Sequence, residues 1–321
     1  MTKIVFMGTP AFSTPILESL IEKYDVAAVM TQPDRPVGRK HVLTPSPVKK
    51  VALAHNIEVL QPEKVSKSPE MQRVIDIAPD FIVTAAFGQF LPTKLLKAAK
   101  IAAVNVHASL LPLYRGGAPV HYAIMNGDEE TGVSIMYMIR QMDAGNVISQ
   151  VKCPITQADD TGSMFDKLSL AGRDLLLKTL PTLIDGPVEG IKQDERAVTF
   201  SPNISRAQEE IDWTHTASEI DWQVRGLRPF PTAYVVMDNV RTKILDVTVL
   251  ADQQTTQMPG TVVSRTKHEL DVAAGQGTVL RINRLQPAGH PQMAITDFLN
   301  GADTQFEVGK QIMKMKFGAT N

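Results

Sequence analysis

The sequence predicts an α/β protein in two parts: a larger first part built on a mostly parallel sheet covered by helices, and a smaller β-barrel after it. Three observations predict this. Up to about residue 189, short apolar runs alternate with helix-spaced apolar patterns, the order expected when helices cross over between parallel strands. Beyond about residue 206 the pattern becomes short β-like runs parted by Gly-, Pro- and Asn-containing turns. A length of 321 residues also exceeds what one compact core usually holds.

Taken in order, Ile4 to Met7 is an apolar run of strand length. Ser13-Thr14-Pro15 then offers a cap and an early proline before Ile16, Leu17, Leu20 and Ile21 at helical spacing. Val26 to Met30 is the second strand. Between Thr31 and Ser46 neither period holds, and Arg35, Arg39, Lys40 and His41 lie among three prolines and one glycine, which reads as a long basic loop. Ser46-Pro47 opens a helix through His55, and Ile57 to Leu60 is a short strand. Strands at Phe81–Ala86, Ala102–Val106 and Val133–Met138 alternate with helices at Met71–Ile77, Thr93–Ala98 and Val120–Met125. A long amphipathic pattern from Thr161 to Ile184 closes the first domain, with Pro181 placed to kink its last turn. The expected organisation is a domain over 1–189, a linker over 190–206 and a second domain over 207–321. The second domain starts with a helix at Ala217–Leu227, followed by strands near 233–237, 243–250, 260–263, 270–273 and 279–285.

Composition narrows the chemistry. The net charge is −1 and no low-complexity tract is present, as expected of a soluble globular protein. Cys153 is the lone cysteine, so no internal disulfide or cysteine zinc cage can form, and a reducing compartment fits. The start turns polar too soon for a signal peptide, and no run approaches the ~18 apolar residues of a membrane span, so a cytoplasmic protein is expected. Seven histidines are scattered without an H-x-H or H-x-x-x-H pair, and no metal is expected. The turn Met7-Gly8-Thr9-Pro10 lacks the G-x-G-x-x-G spacing of a dinucleotide site.

The polar cluster that draws attention is Asn105-Val-His107, delivered by the apolar run Ile101–Val104. Strand periodicity puts both side chains on one face at a strand's end. An imidazole exchanges protons near neutrality, and an amide can donate to an oxygen gaining charge, so the pair suits acyl transfer to an amine. Asp143, in Gln141-Met-Asp-Ala-Gly145, is the carboxylate best placed to orient His107. The same residues also fit blander roles, a satisfied polar histidine and a turn-forming aspartate. Ser109 as a hydrolase nucleophile is the rival, yet no G-x-S-x-G elbow surrounds it. These loops and the Phe87-Gly88-Gln89 turn all follow predicted strands, where ligands of open α/β sheets bind.

The run Asn105-Val-His-Ala-Ser-Leu-Leu-Pro112, with Tyr114-Arg-Gly-Gly-Ala-Pro119 and Glu130-Thr-Gly-Val133, resembles the folate-dependent formyltransferase family. Met7-Gly-Thr-Pro10, Thr31–Arg39, Pro45-Ser-Pro47 and Gln286-Pro-Ala-Gly289 carry the resemblance to both ends of the chain. It departs at Leu113-Tyr114, where a more basic or tryptophan-containing segment is expected. The resemblance implies a Rossmann-like formyltransferase domain followed by an OB-like barrel that binds tRNA. It implies 10-formyltetrahydrofolate as formyl donor and methionine carried on initiator tRNA as acceptor, with an amino-sugar nucleotide or another small amine as the alternative acceptor. Membranes and obligate protein partners are not implied. Carried over by position, the catalytic residues are Asn105, His107 and Asp143. Ser109, Leu110, Leu111 and Pro112 form the folate loop, and the Phe87-Gly88 turn adds an apolar wall. The basic loop maps tRNA contacts onto Arg39 first, with Arg35 and Lys40 beside it. Acidic residues slightly outnumber basic ones after residue 206, so a tRNA surface there would be local, with Arg225, Arg228, Lys310, Lys314 and Lys316 as candidates for a basic edge. Trp213 and Trp222 are read as packing residues.

Overall fold

A computed structural model of the chain describes residues 1–38, 41–301 and 306–315. It divides into two compact units: Met1–Pro119 with Glu130–Pro154 and Met164–Pro202, and Val120–Glu129 with Ile155–Ser163 and Asn203–Asn321.

In the first unit the strands are β1 (Lys3–Gly8), β2 (Asp25–Met30), β3 (Arg35–Val37), β4 (Val42–Thr44), β5 (Glu58–Leu60), β6 (Phe81–Ala85), β7 (Ala102–His107), β8 (Glu130–Tyr137) and β9 (Val147–Pro154). The main sheet runs β5-β2-β1-β6-β7-β8-β9. Its first five strands are parallel; β8 and β9 add antiparallel. Ile4, Val5, Phe6 and Met7 are fully buried, as a strand covered on both faces requires. Strand order reverses between β1 and β6, the place where open sheets leave a crevice at their carboxyl ends.

Helices α1 (Thr14–Lys23), α2 (Pro47–Ala54), α3 (Pro69–Ile77) and α4 (Thr93–Leu96) make the crossovers. Further along lie α5 (Pro119–Met125) and α6 (Thr161–Asp185). Ser46 caps α2, accepting from the Lys49 amide at 3.0 Å. Ser13 does not cap α1: its hydroxyl donates instead to the Ala85 carbonyl at 2.6 Å, tying the helix start to the end of β6. α6 continues past Pro181 to Asp185. The stretch expected to be an irregular loop contains β3 and β4, paired as an antiparallel hairpin from Arg35↔Thr44 to Val37↔Val42. Alternation is hidden there because Val37, Val42 and Leu43 are all exposed, so no buried face imprints a period.

The second unit holds α7 (Arg206–Glu209), α8 (Ala217–Leu227), β10 (Tyr234–Met237), β11 (Val240–Val249), β12 (Val262–Arg265), β13 (Leu270–Ala273), β14 (Val279–Pro287), β15 (Met293–Ala294) and α9 (Ile295–Gly301). Thr216 and Glu219 form a reciprocal capping box at the start of α8. The sheet order is β10-β11-β14-β13-β12, antiparallel throughout, with β15 beside β14. Asp238 and Asn239 turn β10 into β11 with φ of 47° and 64°, the left-handed pair a tight hairpin needs. The edges β10 and β12 are joined through Gly309–Lys314. Ile312 donates to the Gly260 carbonyl at 3.0 Å and its own carbonyl accepts from Asp238 at 2.9 Å. Ile220, Val224 and Leu227 of α8 pack with Val235, Ile244 and Leu280 in one core that also buries Trp213. Trp222 lies against Gly127, where an added Cβ would meet the indole at 2.6 Å. Both tryptophans are packing groups, as read from the sequence.

The basic edge proposed around α8 is not available. Arg225 is buried, donating to Asp221 at 2.9 Å and to the Asp159 carbonyl at 2.9 Å. Arg228 is divided between Asp160 at 2.7 Å and Asp246 at 2.8 Å. Lys310 and Lys314 are exposed, and Lys316 lies outside the described residues.

Candidate active site

β7 ends at the carboxyl edge of the sheet with Asn105 and His107 on one face. Asn105 registers with Thr84 of β6 and Met136 of β8, and His107 with Ser134. The Thr84 hydroxyl donates to Asn105 Oδ1 at 2.7 Å. That bond commits the amide oxygen, so what Asn105 can offer a ligand is its pair of Nδ2 protons. His107 is 6% exposed, and a buried imidazole needs partners. Its Nε2–H donates to the Tyr114 carbonyl at 3.0 Å; a carbonyl only accepts, so the proton of the neutral ring sits on Nε2. Nδ1 faces Asp143 Oδ1 at 3.8 Å. This is beyond a hydrogen bond yet within ion-pair reach.

Asp143 adopts a left-handed backbone, φ 51°, in the turn after β8. Its Oδ2 accepts from the Gly116 amide at 2.9 Å. At Gly145 a Cβ would fall 1.8 Å from the Tyr137 carbonyl oxygen, so glycine is what lets this turn fold back onto β8. Asp143 is therefore a turn residue and the carboxylate beside His107 at once.

The Ser109–Pro112 loop is fastened from below by Ser134. The Ser134 hydroxyl donates to the Ser109 carbonyl at 2.6 Å and accepts from the Leu111 amide at 3.0 Å. Ser109 is fully buried and its own hydroxyl donates to the Leu113 carbonyl at 2.6 Å, so it shapes the loop. Leu111 is buried with Met136 and Val147. Leu110 lies over Gly132, where a Cβ would meet it at 2.5 Å. Pro112 is half-buried. At the end of β6, the Phe87 ring belongs to the core and its carbonyl accepts from Thr9 and Gln32, each at 3.1 Å. Gly88 turns the chain there with φ 83°.

Of the three basic residues mapped onto the hairpin, Arg35 is exposed and forks onto both Glu63 oxygens, at 3.2 and 2.5 Å. Arg39 and Lys40 lie outside the described residues. Asp34, at the hairpin's base, is bound by Lys49 at 2.7 Å and Gln61 at 2.8 Å, and these bonds hold its carboxyl below the usual range. Among the described residues, no group of three His, Cys, Asp or Glu could hold a metal ion, and no helix is long and apolar enough to cross a membrane.

Three groups here carry no sequence signal of their own. Thr84 lies inside an apolar strand, the Tyr114 carbonyl is backbone, and Gln193 sits in the polar run Ile191–Arg196. Gln193 is buried, and its Nε2 donates to the carbonyls of both Asp143 and Gly145 at 2.8 Å. Arg115 is 2% exposed and donates to Gln193 at 3.0 Å and to Glu195 at 2.9 Å.

A formyl transferase family model matches residues 2–180, and the model of the formyl transferase C-terminal domain matches 203–303. The chain is 65% identical over 315 residues to the methionyl-tRNA formyltransferase of Lactiplantibacillus plantarum, covering 98% of this chain and 99% of that one. It is 64% identical to that of Enterococcus faecalis, covering 94% and 96%, and 54% identical to that of Lacticaseibacillus casei, covering 98% of each. Among solved structures, the N-formyltransferase from Helicobacter canadensis, in complex with folinic acid and dTDP-3-aminofucose, has a similar fold. Its TM-score is 0.66 at 19% identity, covering 89% of this chain and all of that one. A sugar 3N-formyl transferase crystallised with dTDP and 5-N-formyl-THF gives a TM-score of 0.67 at 19% identity, covering 91% and 99%. With both family models matched and near-full-length relatives at these identities, the chain belongs to the formyl transferase family.

Proposed function

We propose that this protein transfers the formyl group of 10-formyltetrahydrofolate to the α-amino group of methionyl-tRNA, in the cytoplasm, giving the N-formylmethionyl initiator tRNA. The observation that carries the reading is the 54–65% identity to methionyl-tRNA formyltransferases over nearly the whole of each chain. In the proposed reaction the free amine attacks the formyl carbon, and the carbonyl oxygen gains negative charge. Asn105 would donate from Nδ2 to that oxygen, with protonated His107 supplying positive charge beside it. Collapse breaks the bond from the formyl carbon to the folate nitrogen, which takes up a proton as the amine loses one. With Nε2 committed to the Tyr114 carbonyl, Nδ1 is the His107 nitrogen that would pass this proton, directly or through a water. Asp143 would stabilise the imidazolium, and no acyl-enzyme forms.

The Ser109–Pro112 loop and the Phe87–Gly88 turn would receive the folate. Arg35, Arg39 and Lys40 would meet the tRNA acceptor end. Arg35 is suited to this because its exposed pairing with Glu63 is worth little and exchanges readily for phosphate. Val37, Val42 and Leu43 add exposed apolar surface to the same hairpin, of a kind that unstacked bases can cover. Residues 1–189 would carry catalysis and 207–321 would bind tRNA, with 190–206 between them.

The test is to incubate purified protein with 10-formyltetrahydrofolate and charged initiator tRNA and to follow formylmethionyl-tRNA. Formation of product supports the reading. No product, together with formylation of an amino-sugar nucleotide, overturns it. Arg39→Ala is expected to raise KM for the tRNA while leaving folate binding unchanged; equal loss of both would remove the hairpin from tRNA recognition.

A further inference from the structure

The sequence reads residues 190–206 as a linker, yet much of the run from Val188 to Ser201 is hydrogen-bonded within the first unit. Ile191 exchanges backbone bonds with Val147 at the start of β9, at 2.7 and 2.9 Å. The Tyr137 hydroxyl donates to the Val188 carbonyl, and Asn146 donates to the Glu189 carbonyl at 3.1 Å. Farther on, the Tyr114 amide donates to Thr199 Oγ1 at 2.8 Å, and the Ser201 amide donates to the Arg115 carbonyl at 2.8 Å. The Ser201 hydroxyl donates at 3.0 Å to the Tyr114 carbonyl, the same oxygen that receives His107 Nε2–H.

Between these two attachments sits Gln193. Its two amide protons meet the carbonyls of Asp143 and Gly145, and its oxygen accepts from Arg115. Every polar atom of this buried side chain is used, and each partner belongs to a loop that touches His107 or Asp143. Asp143 adopts a left-handed backbone, and the Gln193 bonds fix the carbonyls on this turn while the carboxylate lies 3.8 Å from Nδ1. We propose that Gln193 is a positioning residue for Asp143, and that residues 188–201 form a strap that sets the distance between the Asp143 turn and the Tyr114–Gly116 loop. The proposal rests on the reading of His107 and Asp143 as the reacting pair.

Gln193→Met in the full-length protein keeps the side chain's length and removes both donors. Expected is a fall in kcat of roughly 10- to 100-fold with KM for tRNA and folate held within about two-fold, the mark of a misplaced group and not of lost binding. Gln193→Glu, which retains the Arg115 contact, must show the same split. On an Asp143→Asn background, Gln193→Met is expected to cost no more than about two-fold further, because a residue acting through Asp143 has nothing left to position. The imidazole 15N resonances of His107 should move in Gln193→Met in the direction in which Asp143→Asn moves them. Wild-type kcat in either Gln193 variant, multiplicative losses in the double variant, or His107 resonances that stay put would overturn the proposal. The resonance comparison needs no substrate. If the wild-type protein formylates nothing, the functional reading falls while this comparison still decides whether Gln193 acts on the pair.

Discussion

Replacing Asp143 by Asn isolates the charge of the carboxylate from its shape. The amide oxygen can still accept from the Gly116 amide, so the turn keeps its bond. What disappears is the attraction between a carboxylate and an imidazolium 3.8 Å apart. At that separation Coulomb's law gives about 4 kcal/mol for an effective dielectric of 20 and about 1 kcal/mol in bulk water. The His107 side chain is 6% exposed and that of Asp143 14%, which favours the first limit over the second. Converted to rate, the two limits bracket a loss from roughly 5-fold to roughly 10³-fold, with the burial pointing above 10²-fold. Steady-state formylation of methionyl-tRNA, varying each substrate in turn, should show that loss in kcat with little change in either KM. Thermal unfolding should move little. A kcat within about two-fold of wild type in a folded variant would refute the argument, because the pair's charge would then contribute less than even full solvent screening allows.

Thr84→Val preserves volume and removes the donor to Asn105 Oδ1; kcat should fall about 5-fold, the equivalent of one hydrogen bond near 1 kcal/mol. An unchanged kcat would mean that Asn105 is oriented by other groups. Asp221→Ala strands the buried Arg225 guanidinium and should cost about 3 kcal/mol in urea unfolding, whereas a loss under about 1 kcal/mol would show that the Thr156 and Asp159 carbonyls satisfy it alone. Burial holds the His121 pKa below its ordinary 6.5 despite the bond to the Gly226 carbonyl. The unfolded chain therefore takes up a proton there before the folded chain does, and stability should fall as pH drops from 6.5 toward the folded value, by up to about 1.4 kcal/mol per unit. His121→Gln should flatten that acid slope in urea titrations between about pH 5 and 7.5; an unaltered slope would assign it to other groups.

Elements with a buried face were legible in the sequence because burial leaves a period. Ile4–Met7, Phe81–Ala85 and the α8 stripe of Ile220, Val224 and Leu227 all bury apolar side chains at the spacing their structure dictates. The β3–β4 hairpin was not legible, since its apolar residues point to solvent. β15, two residues long, was too short to leave a period, and α9 after it was not anticipated either. Asn105 and His107 could be found because strand spacing places them together on β7. The approach of Asp143 could only be inferred, because it depends on Gly145 folding the turn against Tyr137 and on the Gln193 bonds. Polar side chains of the run Ile191–Arg196 resemble a solvated linker, and nothing in their order separates the buried Gln193 from the exposed Lys192 and Asp194 beside it.

The way these segments are fastened bears on how far the fold tolerates change. Gln193 is held through the Asp143 and Gly145 carbonyls, His107 through the Tyr114 carbonyl, and Asp143 through the Gly116 amide. In each case one partner is backbone, which every residue type supplies, so the bond constrains side-chain identity at one position only. Steric limits are also local, falling on glycines such as Gly116, where a Cβ would lie 2.6 Å from the Ser201 carbonyl oxygen. A scaffold fastened in this manner can exchange most of its surface and core residues while its loops keep their places. The corollary is that substitutions of Tyr114 that leave its backbone in place should matter less to His107 than loss of the two protons Gln193 gives to the Asp143 and Gly145 carbonyls. Tyr114→Phe against Gln193→Met, compared in kcat, puts that ranking to the test, and a larger loss in Tyr114→Phe would reverse it.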